Sequence, residues 1–249
     1  MKNVARNIAA AALVAVIMIS GYFVLEMQKG YTAEKNIHQE MTPYKPAMPE
    51  ETPAGAVVPE NFVDSAIVEL KAEYEDAVGW ITIPHTGIDY PFVQVKDNRY
   101  YLDRDIDGNY SAAGTLFMDY LNSSDFSDFN TVIYGHHMKN GTMFGPLLKY
   151  NEKDFFNTNT SGTIFLENKT FDVEFFAYMI VQAEDHTVYE SPAGRAERQK
   201  SLDYILENSR HYREIGVGPE DQIVTLSTCA YEFKDARMLL AGKLSEYQQ

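Results

Sequence analysis

Cys229, the single cysteine of the 249-residue chain, closes the apolar run "IVTLSTC". A thiol at a strand end is either a small buried hydrophobe or a nucleophile. Two other residues bear on that choice. His136 follows Gly135 at the end of "NTVIYGHHM", and Arg237 stands in "KDARMLLAGKL", eight residues past the cysteine. Singly, each has an ordinary reading: a packed thiol, a surface histidine, a solvated arginine. Together they make a chemistry. A thiol with a pKa of ~8.5 is only a few per cent thiolate at neutral pH. A nearby imidazolium stabilises the thiolate, and the imidazole carries protons to and from leaving and attacking amines. A guanidinium donates hydrogen bonds to a substrate carbonyl or to the oxyanion of a tetrahedral intermediate. Nucleophile, acid/base and electrophilic clamp suffice for acyl transfer through a thioester.

These residues need a scaffold that brings three segment ends together. Short runs rich in β-branched and aromatic residues supply it: "WITIP", "DYPFVQV", "GTLFMD", "NTVIYGH", "GTIFLE", "TFDVEFFAYMIVQ", "QIVTLSTC" and "RMLLAGKL". Turn residues separate them, among them Pro84 with Gly87, Asp107-Gly108-Asn109, Asn168-Lys169, and Gly216 with Gly218 and Pro219. Eight such strands predict a mainly β fold with peripheral helices, a closed or nearly closed barrel or a sandwich. Phe171, Val173 and Phe175 alternate as core positions, and Trp80 reads as core. A helix is predicted from Phe62 through Ala66, Ile67, Leu70 and Tyr74, with Gly79 as its end. A second covers "MFGPLLKY". A third covers "AGRAERQKSLDYILENSRHY", with Leu202, Ile205 and Leu206 on one apolar face.

The N-terminus differs in kind. The uncharged run Asn7–Leu25 would span roughly 28 Å as a helix, close to the ~30 Å hydrocarbon core. Lys2 and Arg6 precede it, which predicts a cytoplasmic N-terminus and an outward-facing remainder. The run exceeds the apolar core of a cleaved signal peptide and lacks a small-residue cleavage site directly after it, so a signal anchor is expected. Residues 41–60, "MTPYKPAMPEETPAGAVVPE", hold five prolines and little periodic pattern. They read as a semi-rigid spacer. The expected organisation is an anchor over 1–28, a Pro-rich spacer over 29–60 and a catalytic domain over 61–249.

The composition, 45% hydrophobic and 13% aromatic, is that of a globular protein, and a net charge of −15 excludes a phosphate backbone as the natural partner. The remaining histidines, His38, His85, His186 and His211, show no metal-ligand spacing. Asp103, Asp105 and Asp107 resemble a calcium loop in composition, but its twelfth position is Gly114 in place of a glutamate. No metal and no cofactor are expected.

The set "TLSTC", an arginine on the next strand and an upstream strand ending in "GH" resembles the sortases, membrane-anchored cysteine transpeptidases of Gram-positive bacteria. "VGWITIPHTGIDYPFVQVKDNRYYLDRD", "GNYSAAGTLFMDY" and "NTVIYGHHMKNGTMFGPL" are most similar to class B, and the resemblance covers residues 60 to 249. It implies an eight-stranded sortase-type β-barrel with an N-terminal helix and a helix inserted before the cysteine strand. By position it makes Cys229 the nucleophile, His136 the general acid/base and Arg237 the clamp. Ser227 and Thr228, just before the cysteine, become substrate-groove candidates. His137 is extra: neighbours on a strand point to opposite faces, so it is assigned a surface or supporting place, with a swapped role of the two histidines left open. Ala230 stands where some class B members carry an acidic residue.

The reaction implied is cleavage of a C-terminal sorting signal after threonine, formation of a thioacyl enzyme, and transfer to an amine of a peptidoglycan precursor or cross-bridge. The enzyme would sit at the cell membrane with its catalytic domain outside. Specificity is expected between His186 and Gly216. Rival readings are a cysteine hydrolase that gives the thioester to water, a sortase that polymerises pilins, and an idle surface-binding module on the same barrel.

Overall fold

The computed structural model describes residues 7, 12–25, 28, 39–47, 64–230 and 234–247. The chain divides into two units, Met1–Glu40 and Met41–Gln249. In the first, residues 12–25 are helical, with exposed apolar side chains such as Leu13, Ile17 and Phe23. Among the described residues no helix is long and apolar enough to cross a membrane. Residues 1–6, 8–11, 26 and 27 of the predicted anchor lie outside the described residues.

The second unit is built on nine strands: β1 (Ala77–Ile83), β2 (Ile88–Val93), β3 (Leu116–Met118), β4 (Asn130–Tyr134), β5 (Ser161–Leu166), β6 (Thr170–Gln182), β7 (Ser209–Tyr212), β8 (Gln222–Cys229) and β9 (Ala236–Glu246). They pair in the order β5-β1-β2-β3-β4-β8-β9-β6, and a β5–β6 pairing closes that ring of eight. The eight strands of the ring are the eight apolar runs of the sequence. β7 is a ninth strand added to the far end of β6, where Ala177 faces Tyr212 and Tyr178 faces His211. The predicted third helix therefore stops earlier than its sequence pattern: it covers Arg195–Asn208, and "SRHY" turns into strand.

Strand alternation sorts side chains into two layers. Inside the ring lie Val224, Leu226, Met238, Leu240, Phe171, Val173 and Phe175, all buried. Outside it, Ile223, Leu239, Ala241, Ala177 and Met179 pack under Leu202 and Ile205 of the late helix. Leu206 does not join that face and is 47% exposed.

Three α-helices flank the barrel: α1 (Ser65–Glu73), α2 (Lys153–Thr158) and α3 (Arg195–Asn208). Asp64 caps α1, its carboxylate accepting from Ala66 N at 2.9 Å and Ile67 N at 3.3 Å. α1 buries Ile67 and Leu70, one turn apart. Gly79 does not end it. The glycine lies within β1, where an added Cβ would come 2.3 Å from the Phe165 carbonyl oxygen of β5. It is a cross-strand contact glycine, and the helix ends at Tyr74. The predicted "MFGPLLKY" helix is a 3-10 helix over Gly145–Asn151, followed by α2.

Of the predicted spacer, residues 39–47 are described. Thr42–Tyr44 forms one 3-10 turn on the outer side of the barrel. Met41 is buried, the Tyr44 ring meets Tyr74 edge-on at 5.9 Å, and Lys45 pairs with Asp89 at 2.5 Å. Asp89 also accepts from the Trp80 indole N–H at 2.7 Å and the Thr82 hydroxyl at 2.9 Å.

Candidate active site

The three candidate side chains are delivered by the ends of β4, β8 and β9. Cys229 closes β8 and Arg237 opens β9, and they are direct partners in the antiparallel register. β4 runs parallel to β8, with Tyr134 opposite Ser227. His136 lies two residues beyond Tyr134, as Cys229 lies two beyond Ser227. On β8, Val224, Leu226 and Ala230 point inward while Ile223 packs outward. By alternation Thr225, Ser227 and Cys229 share the outer face. Cys229, His136 and Arg237 are all half-buried.

Local sequence explains how His136 emerges. A Cβ on Gly135 would lie 2.3 Å from Leu116 Cδ2 and 2.8 Å from Phe144, so only glycine lets the chain pass there. The Gly135 N–H still donates to the Ser227 carbonyl at 3.1 Å. Beyond it the His136 ring places Nε2 2.6 Å from the Leu102 carbonyl oxygen. A carbonyl can only accept, so Nε2 carries a proton and Nδ1 is the ring atom left for exchange.

The wall beside Ser227 comes from the 3-10 helix His186–Tyr189. Asn130, at the start of β4 and 2% exposed, fixes it. Its amide donates to the carbonyls of Val188 at 3.0 Å and Glu190 at 3.3 Å, its N–H donates to the Ser191 hydroxyl at 3.0 Å, and its Oδ1 accepts from Thr225 at 2.9 Å. Thus held, Tyr189 places its hydroxyl 3.2 Å from Ser227 Oγ and stacks on Tyr134 with ring centres 5.9 Å apart. Phe117 extends the stack at 5.3 Å. Burial raises the Tyr189 phenol above its ordinary pKa, with the Ser227 hydrogen bond and then Arg237 opposing the shift. Burial, then the Asp119 carboxylate, raises Tyr134 as well. Both rings therefore stay neutral hydroxyls. A cleft of about 920 Å³ opens here, lined by Arg237, Tyr134, Tyr189, Asn98, Asp119 and Glu190 among others.

Of the residues singled out from the sequence, Cys229, His136, Arg237 and Ser227 come together on one outer face. Thr228 does not join them: it takes the inward-facing register, 3% exposed. Tyr134 is not among the residues read from the sequence, and Tyr189 enters there only as a residue of the segment expected to set specificity, without a site role. Tyr134 had a signal, standing two residues before His136 and so on its face. Tyr189 had none beyond its place in the specificity segment, because its contact with Ser227 spans 38 residues. Asp105 accepts from the Asn109 N–H at 2.8 Å, closing an ordinary turn over the predicted calcium-like loop.

Residues 81–245 match the family described as the sortase domain. Sortase B of Listeria monocytogenes is 36% identical over 178 residues, covering 71% of this chain and 72% of that protein. Sortase B of Staphylococcus aureus is 30% identical over 174 residues, covering 68% and 70% respectively. Among solved structures, sortase B from Bacillus anthracis superposes with a TM-score of 0.75 at 33% identity, over 88% of this chain and 98% of that one.

Proposed function

The chain belongs to the sortase family and is a class B cysteine transpeptidase, and from that premise we propose that Cys229, His136 and Arg237 carry its reaction. The Cys229 thiolate attacks the carbonyl of threonine in a sorting-signal peptide. An S–C bond forms, the C–N bond after threonine breaks, and His136 gives its proton to the leaving amine. Arg237 donates to the carbonyl oxygen as negative charge develops on it. An amine of peptidoglycan then attacks the thioester, returns a proton to His136 and frees the thiol.

The observation that supports this assignment is the register. Cys229 faces Arg237 directly, and His136 follows two residues past the end of the neighbouring parallel strand, whose last pairing is Tyr134 with Ser227. The Tyr189–Ser227 wall and the cleft beside Arg237 suit an extended peptide entering from that side. Ser227 is assigned to the groove, and Thr228, facing inward, is left with its main chain for substrate contact.

We further place a membrane anchor in residues 1–28, a spacer in 29–60 and the catalytic domain in 61–249. The uncharged stretch Asn7–Leu25 supports the anchor by its length and flanking charges. A tether of this kind would hold enzyme and both substrates at one membrane face and raise their effective concentration.

The test is direct. The full chain is incubated with a panel of sorting-signal peptides, with and without an amine acceptor, and products are followed by mass spectrometry. Cleavage after threonine with an amine-linked product is expected, and Cys229→Ala should give neither cleavage nor adduct while melting normally. Cleavage products that persist in Cys229→Ala would remove the thiol from the mechanism. Release of free acid at the same rate with or without amine would favour the hydrolase reading.

A further inference from the structure

His137 has no part in the chemistry above, yet its ring is placed at the nucleophile. The parallel ladder between β4 and β8 carries the Gly135 N–H to the Ser227 carbonyl at 3.1 Å. Such ladders repeat every two residues, so the next rung would join the amide of residue 137 to the Cys229 carbonyl. β4 has ended by then. The chain folds back on itself, tied by the Phe144 N–H to the His136 carbonyl at 3.0 Å and by an antiparallel bridge between His137 and Met143.

The Cys229 carbonyl cannot turn to β9 for a partner. Ala230 N–H donates to the Ala236 carbonyl at 2.9 Å, which makes Ala230 and Ala236 a hydrogen-bonded pair. Cys229 and Arg237 are then a non-hydrogen-bonded pair, and the Cys229 carbonyl points toward β4. What meets it there is the imidazole: His137 Nδ1 lies 2.9 Å from the Cys229 oxygen. Because a carbonyl only accepts, Nδ1 carries the proton. Beside the ring, Gly145 answers to the Met138 carbonyl oxygen, 2.6 Å from its ideal Cβ position, with His137 Cδ2 at a contact distance of 3.5 Å.

We propose that His137 is a positioning residue: its side chain supplies the last rung of the β4–β8 ladder where the main chain cannot, and so fixes the Cys229 peptide. The proposal rests on Cys229 being the nucleophile. The peptide that follows Cys229 sets where its thiol points relative to His136 and Arg237. A displacement of about 1 Å at a reacting atom can cost about 10²-fold in rate.

His137→Leu and His137→Asn are close in size, and only asparagine offers a donor near the place of Nδ1. With the full chain and a peptide that the wild type turns over, the leucine variant should lose about tenfold or more in kcat with KM little changed. The asparagine variant should stay within about threefold of wild type. An asparagine variant as slow as the leucine variant overturns the proposal, as does a leucine variant as fast as wild type. A second measurement needs no variant and no substrate. Nitrogen NMR of the histidine rings in the full chain should show His137 protonated at Nδ1 at neutral pH, and an unprotonated Nδ1 overturns the proposal. Failure of the nucleophile reading looks different: Cys229→Ala would keep its activity while the His137 ring kept its tautomer.

Discussion

β1 and β8 lie four strands apart in the ring of eight, on opposite sides of the barrel. Each carries a cluster of polar groups on its outer face, and the two clusters are used differently. At β1, Asp89 accepts from Trp80, Thr82 and Lys45, and the Trp80 indole is buried. Donors and acceptor there satisfy one another. At β8, Cys229, His136 and Arg237 are half-buried, and Arg237 lines an open cleft. Here it is the supports that are satisfied, Asn130 with its four bonds above all. On the proposed assignment, the difference teaches how one barrel separates stability from chemistry: groups that hold the fold face each other, and the groups assigned to the reaction stand at strand ends.

That contrast can be broken by mutation. The largest effect should come from Arg237→Ala, which is expected to lower kcat/KM by about 10²–10³-fold with an unchanged melting curve. Normal turnover in that variant would remove the arginine from the mechanism. Next, Asp89→Ala should leave the Trp80 indole N–H buried without its acceptor and lower stability by about 2–3 kcal/mol. Denaturant melts, read by the fluorescence of the single tryptophan, would measure it. Turnover per folded molecule should not change, and a loss like that of Arg237→Ala would erase the distinction between the two faces. The smallest effect is assigned to Tyr189→Phe, which removes the hydroxyl from Ser227. About 1 kcal/mol is expected, seen chiefly as a several-fold rise in KM for the peptide. A fall in kcat alone would instead draw Tyr189 into the reacting group.

The barrel was legible in the sequence because its strands are β-branched and aromatic runs divided by turn residues. β7 was not, because "SRHY" follows α3 without a glycine or proline and pairs only with the distant β6. Gly79 was misread for a related reason. A glycine after a helical pattern signals a cap, but this one answers to the Phe165 carbonyl far away in the chain. At the site, side chains with distinctive chemistry could be found from type and spacing. The Leu102 and Cys229 carbonyls, on which the two histidines depend, could not. Main-chain acceptors have no residue signature, and their partners are set by where strands end.

The Met41 turn has one more consequence. It docks beside Trp80 and Asp89, on the face of the barrel turned away from Cys229. The pairing of Lys45 with Asp89 clips residues 41–45 to that wall, as a clasp is sewn to the back of a collar. A segment clasped there stands clear of the strand ends at Cys229, where on the proposed assignment the two substrate chains are joined.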